Sequence, residues 1–156
     1  MKQETVYAPL TGSAVPMAQV PDPVFAENVI GQGVAILPTD PVAVAPVDGE
    51  ITAVARTYHA FCIRTDQGLD LLIHLGIDTV NLGGKGFTCY VEKGQRVRRG
   101  DPVIRLDLKL CARKKLQVIS PCIVVNGEEF PVCKPLLGPV KAGETPIMIC
   151  AEGEEP

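Results

Sequence analysis

The segment YHAFCIRTDQGLDLLIHLGID, Tyr58–Asp78, carries both histidines of the chain, His59 and His74, on the flanks of a turn-like TDQG. Apolar, β-branched runs on either side of a turn read as a β-hairpin, with His59–Thr65 entering and Gly68–Leu75 leaving. If the loop is Asp66-Gln67 alone, Thr65 pairs with Gly68, Phe61 with Leu72 and His59 with His74. Directly opposed β-carbons lie ~4.5–5.5 Å apart, so two imidazoles would share one patch with Phe61, Ile63, Asp70 and Leu72. The other face would then carry Ala60, Cys62, Leu71, Ile73 and Leu75, an apolar core stripe. A three-residue loop with Gly68 in the left-handed conformation shifts the register by one and sends a whole strand's side chains to the opposite face. Turn chemistry leans toward the longer loop, because Asp-Gln is not a favoured two-residue turn. The segregation of polar rings from apolar side chains leans toward the shorter one, and paired rings are the expectation.

Outward from this hairpin the same texture continues. Fifteen glycines and fourteen prolines cut the chain into short runs rich in Val, Ile and Leu, such as GVAILPTD, PVAVAPVDGEITAV and DPVIRLDLKL. Helical periodicity is almost absent, so the fold class is all-β, an antiparallel β-sandwich or barrel. One or two short helical turns are expected, at Val24–Ile30 with Asp22 just before it, and at Leu110–Lys115. Weak echoes suggest duplicated hairpin units: APLTG (Ala8–Gly12), APVDG (Ala45–Gly49) and SPCIV (Ser120–Val124) share an opening, and VRRGDPVI (Val97–Ile104) resembles VKAGETPI (Val140–Ile147). No linker interrupts the 156 residues. They read as a single domain, 1–156, with a core of about 5–150 and an acidic tail at 151–156.

Composition narrows the function classes. With 46% hydrophobic residues and a net charge of -3 the profile is globular rather than disordered. No apolar run approaches the ~18 residues of a membrane span, and MKQETVYAPL lacks a signal-peptide pattern, so the expectation is a cytoplasmic monomer with no direct membrane insertion. Nine of the fifteen basic residues fall in Lys93–Lys115, but aromatic content is only 4%, and base-stacking platforms are scarce. These charges read as solvated strand edges guarded against edge-to-edge pairing, and no nucleic acid is expected. The six cysteines include no C-x-x-C pair, which disfavours a zinc knuckle or a thioredoxin-type site and favours reduced, mostly buried thiols.

Three roles fit two opposed histidines. Each is a satisfied, partly buried polar residue; or they are metal ligands, with Asp70 or Asp78 completing a zinc set of three or four; or they perform phosphoryl chemistry on nitrogen. In the last case one neutral ring is the nucleophile and the other donates a hydrogen bond to the phosphoryl oxygens. The backbone carbonyl of Gly76 is placed to hold one ring N–H of His74 and fix which nitrogen is free.

A resemblance decides between them. HLGIDTVNLGGKGF (His74–Phe87) resembles the active-site signature of the glucose-family IIA domains of the bacterial phosphoenolpyruvate-dependent sugar phosphotransferase system. PDPVFAENVIGQGVAILP (Pro21–Pro38), APVDGEI, TYHAF, EKGQRVRRGDPVIRLDL and VKAGETPI follow in the family's order, so the likeness covers nearly the whole chain. It implies an antiparallel sandwich with a shallow depression. His74 is implied as the phosphoryl acceptor, His59 as the ring that stabilises the phosphoryl group, Thr57 as the residue that orients His59, and Asp78 as a rim residue. Phe25, Val29, Ile30, Leu72 and Val80 match an apolar partner-binding ring. The implied partners are the histidine phosphocarrier protein and the IIB domain of a sugar permease, with permeases or kinases as further regulated targets. No cofactor is implied, and no metal in the isolated chain. Ala55 and Arg56 stand where members carry a phenylalanine and an acid, and Asn81, Gly83 and Gly84 replace a more polar run, so the docking rim is expected to differ. Two rivals fit less well: a zinc peptidase would need a third histidine, and a biotinyl or lipoyl carrier would need a lysine at a hairpin tip, whereas Lys85 lies in a glycine-rich loop.

Overall fold

Residues 2–153 are described by a computed structural model. The Gly/Pro punctuation cuts them into fourteen strands. These are β1 (Gln3–Tyr7), β2 (Gly12–Pro16), β3 (Gly33–Pro38), β4 (Val42–Val44), β5 (Gly49–Val54), β6 (Ala60–Arg64) and β7 (Asp70–His74), then β8 (Phe87–Cys89), β9 (Arg96–Val97), β10 (Pro102–Leu106), β11 (Ser120–Val124), β12 (Val132–Pro135), β13 (Gly138–Val140) and β14 (Pro146–Ala151). Every strand pairing is antiparallel. An eight-stranded sheet, β13-β2-β3-β11-β7-β6-β5-β9, is accompanied by two three-stranded sheets, β1-β14-β12 and β4-β10-β8. Their inner faces meet in a cluster of buried side chains that includes Val6, Ile36, Phe61, Ile73, Ile104 and Met148.

The hairpin at the centre takes the longer loop. Thr65 N–H donates to Leu69 O at 3.0 Å, Gly68 N–H donates to Thr65 O at 3.0 Å, and Gly68 has φ +93°. The register pairs Arg64 with Asp70, Phe61 with Ile73 and Ala60 with His74. The expected His59–His74 pairing is therefore off by one. As the alternation rule demands, one strand changes face: Phe61 and Ile63 join Leu71 and Ile73 in the core, while Cys62 and Leu72 look outward with His74. Apolar content misled the shorter register, since both faces of β6 are apolar and only the turn distinguishes them. Phe61→Ala is expected to cost about 3–5 kcal/mol and Cys62→Ala well under that, read from urea-unfolding midpoints. The reverse order would restore the two-residue loop.

The echoes mark a duplication that is nested, not tandem. An inner unit, β4–β10, is inserted into an outer unit made of β1–β3 and β11–β14. Exchanging the two maps each sheet onto its counterpart, with the pair Ile73–Cys122 at the centre of the large sheet. APLTG and APVDG are true equivalents. Ala8 N–H donates to Thr145 O at 2.8 Å and Ala45 N–H to Asp101 O at 2.9 Å, while Gly12 pairs with Val140 and Gly49 with Val97. The turns of VRRGDPVI and VKAGETPI pack on one another, so closely that a Cβ on Gly143 would lie 2.8 Å from Gly100 Cα. SPCIV is not a third copy of this opening: it is β11, the counterpart of β7.

Helical structure is confined to short turns. α1 (Pro23–Ala26) is capped by the Asp22 side chain, which accepts from Val24 N–H at 3.0 Å, and α2 (Leu108–Arg113) is capped by Asp107, which accepts from Leu110 N–H at 3.0 Å. α1 stops before the expected Ile30 and is followed by Asn28 at φ +56°, and α2 begins two residues earlier than expected. At the other end, β14 runs through buried Ala151 and pairs it with Gln3, so the core reaches into the stretch read as a tail. Residues 154–156 lie outside the described residues. No helix among the described residues is long and apolar enough to cross a membrane.

Candidate active site

The outer face of the large sheet is covered at its centre by the segment through α1. Met17, Val20 and Phe25 pack there on Ala35, Ile77, Ile119 and Ile123 in a second buried cluster, with Leu72 against it. His74, the last residue of β7, points to this face beside that cluster. Its ring centroid lies 5.1 Å from that of Phe25, with the planes at 56°.

His59 reaches the same place by leaving the ladder. β6 begins only at Ala60, and the turn before it closes through Tyr58 N–H to Ala55 O at 2.8 Å, with Tyr58 at φ +60°. His59 O still accepts from Leu75 N–H at 2.7 Å, which ties the backbone to β7. The His59 ring comes to 5.2 Å from the His74 ring, with the planes at 69°. The rings thus meet despite the shifted register. For a non-glycine residue the left-handed conformation is costly, and Tyr58 has no sequence signal that announces it.

The ring nitrogens are assigned by their partners. His74 Nδ1 lies 2.6 Å from Gly76 O, and a carbonyl only accepts, so Nδ1 carries the proton and Nε2 of the neutral ring is bare. His59 Nδ1 lies 2.7 Å from the Thr57 hydroxyl. When that hydroxyl donates, the neutral ring carries its proton on Nε2. Gly76 is itself fixed: its N–H donates to Ser120 Oγ at 3.1 Å, and the Ser120 hydroxyl donates to Val118 O at 2.8 Å. At φ +78°, a Cβ on Gly76 would lie 2.7 Å from Thr79 Cγ2 and 2.8 Å from Gln117 O. Gly76→Ala is therefore expected to destabilise the protein by about 1–3 kcal/mol, measured by chemical denaturation, and to loosen the His74 tautomer. Ser120 and Thr79 are supports that the sequence did not single out.

Both rings titrate below the ordinary imidazole value. For His74 the cause is burial, opposed by the Gly76 hydrogen bond and by the negative charges of Asp22 and Asp78. For His59 it is burial, then the charge of His74. At neutral pH the bare nitrogen of His74 is thus kept available.

The remaining expected residues fall around this pair. Val29 and Val80 are exposed at 70% and 48%, with Ile30 also at the surface. Phe25 differs: at 7% exposure it is a wall behind His74 rather than a rim residue. Asp78 is exposed at φ +63°, ahead of a short 3₁₀ turn over Thr79–Leu82. Val24, on the segment of Val29 and Ile30, and Tyr58, beside His59, are also exposed. Asp70, which a zinc reading would recruit, is held by Arg64 through two contacts of 2.6 and 2.8 Å. Among the described residues no three His, Cys, Asp or Glu side chains group in a metal-holding arrangement.

The antiparallel sandwich thus places two imidazoles side by side on the outer face of its large sheet, one of them with a bare nitrogen. The family profile described as "phosphoenolpyruvate-dependent sugar phosphotransferase system, EIIA 1" matches residues 4–130, and the chain belongs to that family. It is 43% identical over 148 residues to a glucose-specific EIIA component of Halalkalibacterium halodurans, covering 94% of this chain and 86% of that protein. It is 40% identical over 145 residues to an N-acetylglucosamine-specific EIICBA component of Klebsiella pneumoniae, covering 92% of this chain but only 22% of that longer protein. The solved glucose permease IIA from Mycoplasma capricolum superposes with a TM-score of 0.86 at 36% identity, over 96% of each chain.

Proposed function

We propose that this chain is a cytoplasmic phosphocarrier whose His74 Nε2 takes a phosphoryl group from the histidine phosphocarrier protein and passes it to a cysteine of a sugar-specific IIB domain. The observation that carries this reading is the bond from His74 Nδ1 to Gly76 O, which leaves Nε2 as the free nucleophile beside a second imidazole. Nε2 forms a bond to phosphorus as the donor's N–P bond breaks. In the second step the incoming thiolate forms S–P as the His74 N–P bond breaks. Neither step calls on a nucleotide, and the work of the protein is positioning and charge stabilisation. His59 Nε2–H supplies a hydrogen bond to the phosphoryl oxygens, with Thr57 holding the other ring nitrogen. Asp78 marks the rim. Val29, Ile30 and Val80 give docking proteins an apolar surface that excludes water during handover, and Leu72 and Phe25 support it from below. A IIB partner agrees with relatives whose names place EIIA in one polypeptide with EIIB and EIIC.

The test is phosphorylation of the purified chain with phosphoenolpyruvate and the upstream carriers, followed by phosphorus NMR. One phosphohistidine linked through Nε2, at His74, is the expected product. Linkage through Nδ1, or at another residue, would overturn the assignment.

The depressed titration of both rings sets the pH dependence. Because folding favours the neutral rings, their contribution to stability is complete above the ordinary value of 6.5 and falls as pH drops through it toward the folded-state values. Single-turnover acceptance is accordingly expected to stay flat through neutral pH and to decline only below 6.5. A decline centred above that value would contradict the burial of His74.

A further inference from the structure

Cys133 on β12 and Cys150 on β14 are cross-strand partners on the back sheet, away from the histidine pair. Leu136 N–H donates to Ile147 O at 2.7 Å, which makes 136/147 a hydrogen-bonded pair. Alternation then makes 133/150 a non-hydrogen-bonded pair, the kind with Cα atoms about 4.5 Å apart and side chains closest. That spacing lies within the roughly 4.4–6.8 Å that a disulfide spans. The two Sγ atoms are 3.8 Å apart.

We propose that Cys133 and Cys150 form a reversible oxidative modification site, a dithiol that a hydroperoxide converts to a cross-strand disulfide. The two thiols differ in access. Cys150 is sealed in the core, whereas Cys133 is half-buried and lines a cleft of about 250 Å³ with Met17, Ala26, Gln32, Leu137 and Met148. The oxidant therefore meets Cys133 first. Its thiolate attacks the peroxide oxygen, the O–O bond breaks, and Cys133 becomes a sulfenic acid as the hydroperoxide leaves as alcohol or water. The Cys150 sulfur then attacks the Cys133 sulfur, the S–O bond breaks, and water leaves with the Cys150 proton. Two thiol hydrogens are lost in all, and a dithiol reductant returns them.

The surroundings favour this pair over the other cysteines. The contact between the two sulfurs, in which either thiol can donate, holds the Cys133 thiol below its usual range, and the same contact with burial pushes Cys150 up. Cys122, fully buried, is pushed up to about 12 and stays protonated. Cys89 gives its S–H to Val91 O at 3.2 Å, and burial raises Cys62 and Cys111. Cys133 lines the same cleft as Met17 and Ala26, residues of the segment that carries Phe25 to His74.

Treating the reduced protein with hydrogen peroxide and following its intact mass tests the proposal. The expected result is loss of two hydrogen atoms, with peptide mapping placing the bond at Cys133–Cys150 and a dithiol reductant reversing it. Cys150→Ser should instead trap a dimedone-reactive sulfenic acid on Cys133, and Cys133→Ser should abolish the mass loss. A wild-type protein that forms no disulfide, a bond mapped to other cysteines, or dimedone on a residue other than Cys133 would each overturn it. The wild-type map decides the question without relying on how either variant folds.

Discussion

His74→Ala is expected to abolish acceptance of the phosphoryl group, a loss on the order of 10⁴-fold or more, the scale on which removal of a nucleophile acts. The substitution removes the atom that bonds to phosphorus, and nothing nearby replaces it. His59 is tied through Nδ1 to Thr57, and its remaining nitrogen is the one that carries hydrogen when the Thr57 hydroxyl donates. Asp22 and Asp78 act on His74 through charge and are poor nucleophiles toward a dianionic phosphoryl group. The fold should survive, because His74 ends its strand on the outer face and the core side of β7 is Leu71 and Ile73. Incubation with labelled phosphoenolpyruvate and the upstream carriers, with circular dichroism as the folding control, checks both halves. Full labelling of this variant would place the nucleophile elsewhere.

His59→Gln should separate the two half-reactions. A glutamine amide supplies one N–H to the phosphoryl oxygens, so the variant is expected to accept from the upstream carrier. It cannot gain or lose charge as the N–P bond to His74 breaks, so donation to a IIB cysteine is expected to slow by about 10²–10³-fold, the range for losing a tuned charge-stabilising donor. The measurement is a chase: phosphorylate the variant, remove the donor, add the IIB domain and follow the label. Equal losses in acceptance and donation would mean that His59 only shapes the hollow.

The site was more legible than the register that builds it. His59, His74, Thr57 and the Gly76 carbonyl converge as the sequence suggested, yet the route there differs. The hairpin takes Gly68 into its loop and β6 turns over, yet the ring of His59, next to Tyr58 in a left-handed backbone, still meets that of His74. Face patterning cannot see this, since Phe61, Cys62 and Ile63 are all apolar and either face of β6 passes as core. The turn chemistry of Asp-Gln points to the longer loop that the structure adopts. Strand content followed directly from Gly/Pro spacing and β-branched runs. The nesting of the two units did not, because pairings such as β3 with β11 join residues some ninety apart, and local pattern carries no record of such closure. Phe25 was placed near the site by resemblance, but its burial depends on how α1 folds over Ala35 and Ile123, a tertiary fact. Ser120 shows the same limit: a serine in an apolar strand reads as tolerated, and only its bond to Gly76 reveals that it braces the peptide whose carbonyl meets His74.

One consequence of pairing the first strand with the last concerns how the molecule is mounted. Gln3 lies across from Ala151, and Glu152 N–H donates to Lys2 O at 3.1 Å, so polypeptide leaving in either direction departs from the same corner. A tether on one side and a tether on the other would swing the histidine pair about a common pivot, and the arc it sweeps would depend on tether length rather than on which end is anchored.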